Sequence, residues 1–184
     1  MPNWCSSDLI VKGKPTDLAA FSVKVCSPRP LVTVKKEVLD RLTGQEEEKE
    51  SYLDANQIIP YPEEYAKADR ANAEAARKQK QPFTDSVPDG YNHGGYEWCI
   101  ANWGTKWGFC DVEREVRPRS IIFTFQTAWL PPKPLIRKLG EMFPKLEFTL
   151  KYYECGGGFS GKLHIKDGEI TEEYNSEYHG HRGG

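Results

Sequence analysis

Trp103, Thr105, Lys106 and Trp107 fall close together in the run GYEWCIANWGTKWGFCDVE, Gly95–Glu113. Indole rings stack on bases and other planar ligands, and a neighbouring lysine supplies charge to a phosphate or carboxylate. Trp129, in TAWLPP, and the Tyr153-Glu154 pair, in YYECGGG, are of the same kind. Trp103, Thr105, Lys106, Trp107, Trp129, Tyr153 and Glu154 form the candidate partner or ligand surface. An enzyme would use a cleft where the three motifs meet at one end of a sheet, with Lys106, Trp129, Tyr153 and Glu154 around it. The plainer account is that Trp98, Trp103 and Trp107 plug a core, and that TAWLPP leaves a strand and caps a helix. Trp107 and Lys106 at the lip of the sheet are the functional alternative.

Other constellations carry less chemistry. GGGFSG, Gly156–Gly161, has a strand pattern after it rather than a helix, and no Gly-Lys-Ser/Thr triplet is present. A flexible hairpin loop is the favoured reading over a phosphate cradle. His179 and His181 could share a metal, yet a third ligand is not apparent, so a mobile tail is expected. His93 with Glu97, and His164 between Lys162 and Lys166, have the types for acid–base work, but nothing fixes them as pairs. A nucleophilic Cys99 or Cys155 would need a basic partner. No catalytic residue, metal ligand or cofactor is assigned.

The 184 residues carry 25 basic and 27 acidic side chains, so a strongly cationic nucleic-acid binder is not the default. Residues 81–116 hold two basic and six acidic side chains, which sets the tryptophan run in an acidic segment. Five cysteines without C-x-x-C spacing read as buried thiols of a reducing compartment. The start lacks a basic stretch followed by an apolar one, and no apolar run approaches the ~20 residues that span a bilayer. A soluble, cytoplasmic protein without membrane contact is expected.

These side chains need elements to hold them. Asp8–Lys12 alternates and predicts a strand, and Thr16 or Asp17 can cap the helix that follows. Residues 26–91 read as an insertion or helical arm. Within it Val32–Leu42 could be a strand running into a helix, Gln45–Glu50 is a charge run, and Glu63–Lys80 is an alanine-rich exposed helix. Phe109–Val116 predicts a strand with Cys110, Val112 and Val116 on one face. Ser120–Thr127 predicts the next, and Leu135, Ile136, Leu139, Met142 and Phe143 mark one helix stripe. Leu146–Tyr152, Phe159–Ile165 and Glu169–Tyr174 predict three further strands, the last two joined at Asp167-Gly168. The order approximates βαββαβ with an added C-terminal hairpin. The expectation is one α+β domain, 1–184: a ferredoxin-like (split βαβ) antiparallel sheet, helices on one face, the 26–91 insertion, and a mobile tail at 176–184.

MPNWCSSDLIVKG, NQIIPYPEEY, GYEWCIANWGTKWGFCDVE, FQTAWLPPKPLI and FTLKYYECGGGFSGK together resemble the YubB ferredoxin-like family of plasmid- and phage-borne proteins. The resemblance covers both ends and most of the second half. It implies a ferredoxin-like fold without an iron–sulfur cluster, and residence on a mobile element in a bacterial cell. No activity follows from it. The first expectation is a non-enzymatic protein-interaction module with a host protein as partner, acting on host defence. The second is a single-stranded nucleic-acid binder using Trp107, Lys106, Lys151, Lys162 and Lys166. The third is an enzyme at the WGTKW, TAW and YYE motifs.

Overall fold

The computed structural model describes residues 3–28, 51–80 and 87–180. The expected strand-to-helix at Val32–Leu42 and the charge run at Gln45–Glu50 lie outside them. Strand β1 (Trp4–Lys12) leads into helix α1 (Pro15–Val25). Strands β2 (Cys26–Pro28) and β3 (Ser51–Leu53) pair with each other. Helices α2 (Ala55–Ile58), α3 (Glu63–Lys78) and α4 (Gly95–Trp103) follow. The remainder is β4 (Cys110–Arg117), β5 (Ser120–Ala128), α5 (Lys133–Met142), β6 (Glu147–Glu154), β7 (Phe159–Lys166) and β8 (Glu169–Glu177).

The large sheet has the order β4-β5-β1-β6-β7-β8, with every neighbouring pair antiparallel. The four strands β4-β5-β1-β6, with α1 and α5 as crossovers, make the split βαβ arrangement. The β7–β8 hairpin extends the sheet beyond β6. Its outer strand is exposed along its length and rich in glutamate, which discourages pairing with another edge.

Alternation drives this architecture. Cys5, Ser7, Leu9 and Val11 point to one face of β1, and Leu9 lies level with Phe123 on one side and Leu150 on the other. That face carries Phe125, Phe148, Leu163 and Ile165, all buried, and it receives the stripe Leu135, Ile136 and Leu139 of α5. Phe21 of α1 is fully buried against Phe123, Phe143 and Phe148, at centroid distances of 6.2, 5.3 and 5.9 Å. Burying such a ring contributes about 1.5–3 kcal/mol, more where aromatic neighbours meet edge to face.

Several local expectations shift. α1 starts on Pro15, with Lys14 as N-cap and no side-chain cap bond, rather than on Thr16 or Asp17. Proline fits the first helical position because its missing N–H has no intrahelical partner there. In β4 a bulge between Cys110 and Glu113, with Asp111 at φ 48°, changes the phase. Cys110, Glu113 and Glu115 therefore share one face, and Val112 and Val116 the other. The alanine-rich helix α3 keeps its side chains exposed or half-buried apart from Ala76, and it is tied to the segment after it: Asn72 donates to the Val87 carbonyl at 2.5 Å, and Asp69 accepts from Tyr91 N–H at 2.9 Å. The boundary expected at 176 falls inside β8, where Ser176 lies level with Ser160. Tyr178 N–H then donates to Gly158 O at 2.8 Å. Residues 181–184 lie outside the described part.

Candidate functional site

No described helix covers the side of the sheet away from α1 and α5, the open face. Register places Trp4, Ser6, Asp8, Ile10 and Lys12 of β1 there, with Tyr153, Lys151 and Thr149 of β6, and Lys162 and His164 of β7. At the end where β1 begins, the open face carries aromatic rings. Trp4 and Trp107 meet at 6.1 Å between centroids. Tyr153, level with Ser6, is the diagonal neighbour of Trp4, a spacing within reach of aromatic side chains. Tyr153 stacks on Tyr178 at 5.0 Å and 10°. Trp107, Trp4, Tyr153 and Tyr178 thus form a row across the sheet. Trp4 and Trp107 are each 36% exposed and Tyr153 is 42% exposed. The Lys106 ammonium lies 4.8 Å from the Trp107 ring centre and 6.0 Å from that of Tyr96.

The three sequence motifs converge on the start of β1 through their own polar groups. Thr105 is fully buried and its hydroxyl donates to the Ala128 carbonyl at 2.9 Å, which fastens the WGTKW loop to the TAW turn. Trp129 N–H donates to Asn3 O at 2.9 Å. Trp129 adopts φ 73°, a left-handed backbone that costs a bulky residue about 1–3 kcal/mol, and its ring is exposed. Glu154 is only 4% exposed, and its two oxygens accept from Gly156 N–H (2.7 Å) and Gly157 N–H. A Cβ on Gly156 or Gly157 would sit 2.9 or 2.6 Å from those oxygens. The glycines let the carboxylate close over the backbone, so GGG is a clasped turn rather than a flexible loop.

The candidate residues therefore divide. Trp107, Trp129 and Tyr153 face outward, and Lys106 is half-buried. Trp103, Thr105 and Glu154 serve internal structure. The Trp103 indole N–H donates to Ile59 O at 2.8 Å, within an aromatic box completed by Trp98 and Tyr61. Trp4 and Tyr178 are the members that sequence reasoning passed over. Starting the first strand at Trp4 instead of Asp8 would have put Trp4 in phase with Asp8 and Ile10.

Two of the thiols, Cys5 and Cys99, are poorly suited to nucleophilic work. Burial, with smaller opposing hydrogen bonds from Ser7 and Thr127, pushes Cys5 up to about 12. Burial likewise pushes Cys99 up to about 11, helped by the charge of Asp69. Thiolate is the reactive form, so both are inert near neutrality. Among the described residues no three His, Cys, Asp or Glu side chains gather as metal ligands. No described helix is long and apolar enough to cross a membrane.

Fold and register define a ferredoxin-like α+β protein with an extended sheet. Residues 102–182 match the family model described as the ferredoxin-like domain in Api92-like protein. The chain is also similar in fold to the crystal structure of the protein Api92 from Yersinia pseudotuberculosis. The TM-score is 0.55 at 12% identity, over 98% of this chain and 99% of that one. At that identity the likeness concerns the fold alone. No curated protein matches the chain.

Proposed function

We propose that this protein is a non-enzymatic recognition module that presents the open face of its sheet to a host protein. The observation that carries the reading is the row Trp107, Trp4, Tyr153 and Tyr178, in which the first three rings are exposed and Tyr178 is half-buried. Large rings held rigidly on a sheet supply contact area at small entropic cost, as in the anchors of protein interfaces. The buried engagement of Thr105 and Glu154 counts against a catalytic cleft at the same motifs. The YubB resemblance supports a role on a mobile element in a bacterial cytoplasm, with host defence machinery as the partner class.

The test is affinity capture from bacterial lysate with the wild-type chain and with Trp4→Ser/Tyr153→Ser. A defined protein held by the wild type and released by the double variant is the expected result. Equal recovery by both chains, or recovery of nothing specific, refutes the reading.

A single-stranded nucleic acid is the second reading. Lys151 and Lys162 share the open face with the rings, and Lys106 stands beside Trp107. Asp8, Glu113 and Glu115 occupy the same face and weaken phosphate attraction. Titration of unstructured oligonucleotides decides between the two: nucleic-acid binding must quench tryptophan fluorescence and weaken as salt rises.

A further inference from the structure

The far end of the sheet holds a different feature, independent of the aromatic row. Lys12 ends β1, Arg119 lies in the β4–β5 turn, Lys145 precedes β6 and Lys166 ends β7. These four cations, with Gly13, Leu146, Glu147 and Asp167, line a cleft of about 310 Å³. Four positive groups against two negative ones leave a local excess of two positive charges, in a chain whose net charge is -2. Fold topology makes this concentration, since the cations come from four separate segments whose ends meet at one rim.

The carboxylates do not neutralise the cleft evenly. Glu147 is already shared between Lys12, at 4.0 Å, and His164 Nε2, at 3.7 Å. Arg119, Lys145 and Lys166 have no described carboxylate within 4.0 Å. Elsewhere on the surface Lys133 and Arg137 pair with Glu173, and Lys162 with Glu172. Buried Leu146 lies beneath the exposed cations.

We propose that this cleft binds a multiply charged phosphate group of the pyrophosphate class. Several anionic oxygens on one small group can meet cations that approach from different sides. A guanidinium does so through paired N–H donors and a lysine as a point charge. The volume lies at the lower end of ligand cavities, about 300–1,000 Å³, which suits the phosphate portion of a ligand. The shared chemistry has two sources, a free oligophosphate or the terminal phosphate of a nucleic-acid strand.

Calorimetric titration of the full chain with sodium pyrophosphate at low salt is the first measurement. The second compares one short oligonucleotide with and without a 5′-phosphate. The site predicts saturable pyrophosphate binding that Arg119→Ala and Lys145→Ala each weaken about three- to tenfold. Lys78→Ala, in α3, serves as a control that leaves it unchanged. Both cleft side chains are exposed, so the variants keep the wild-type urea midpoint. Preference for the phosphorylated strand, competed by pyrophosphate, assigns the source to a nucleic-acid end; pyrophosphate binding alone assigns it to a free oligophosphate. Absence of saturable binding to about 10 mM, or equal affinity in the Arg119→Ala/Lys145→Ala double variant, overturns the proposal.

Discussion

Glu154→Ala tests whether the YYE motif is scaffold or contact surface. The wild-type carboxylate accepts two backbone N–H groups, from Gly156 at 2.7 Å and from Gly157. Hydrogen bonds to a charged acceptor contribute about 1.5–3 kcal/mol each. Removing the carboxylate also removes its desolvation cost, which offsets part of the loss. Water can reach the freed N–H groups through the space left behind. The net expectation is a destabilisation of about 2–3 kcal/mol, or roughly 1–1.5 M in urea midpoint at a slope of about 2 kcal/mol per M. Glu154→Gln keeps one acceptor but turns an NH2 toward the other N–H, so it falls between wild type and Ala. Urea unfolding followed by far-UV circular dichroism supplies the midpoints. Because Tyr178 N–H hangs on Gly158 O in the same turn, loosening should also reach the Tyr153–Tyr178 stack. If both variants stay within about 0.5 kcal/mol of wild type, the clasp is not structural and the reasoning fails.

Iodoacetamide at pH 8 should leave Cys5 and Cys99 unlabelled in the folded chain and label them in urea, as read by peptide mass spectrometry; labelling of either before unfolding contradicts their burial. Gly161→Ala places a Cβ 2.3 Å from the Tyr152 hydroxyl and 2.5 Å from the Tyr174 carbonyl oxygen, so it should destabilise by about 1–3 kcal/mol on thermal melting. Burial acts to raise the Glu173 carboxyl, but hydrogen bonds and charge from Arg137 and Lys133 outweigh it and hold the group below its ordinary value. A lowered folded value means stability that is present above the unfolded carboxylate pKa of about 4.3 and lost as pH falls through the folded one. Glu173→Gln should therefore flatten the acid limb of a stability-against-pH curve measured in urea, and an unchanged limb would exclude the linkage.

The class of fold was legible because its evidence is periodic. Alternation through Leu9 and Val11, through Ile121, Phe123 and Phe125, and through Phe148, Leu150 and Tyr152 states which side of each strand avoids water. The stripe Leu135, Ile136 and Leu139 states which side of a helix covers them. Asp167-Gly168 adopts the left-handed turn that its residues favour, at φ 54° and 80°. What pattern could not supply was phase and neighbourhood. The bulge at Asp111 moves Cys110 to the side of Glu113 and Glu115, and no spacing rule announces it. The tie between α3 and the segment after it depends on Asn72 and Asp69 finding backbone partners many residues away.

For the candidate surface the division runs within single motifs. The sequence determined which side chains could stack, donate or carry charge, since indole, phenol and ammonium chemistry belongs to the residue type. Only the tertiary structure decided which of them face outward. Trp103 and Trp107 differ by four positions, yet one gives its N–H to Ile59 O in the interior and the other lies against Trp4 at the surface. Likewise Lys12, Arg119, Lys145 and Lys166 are unremarkable along the chain and become one cationic rim because four strand ends and turns close at the same edge. Local pattern fixes the energy of a side chain on a strand or helix. Its neighbours across the sheet come from long-range register, and register is settled by the packing of the whole core.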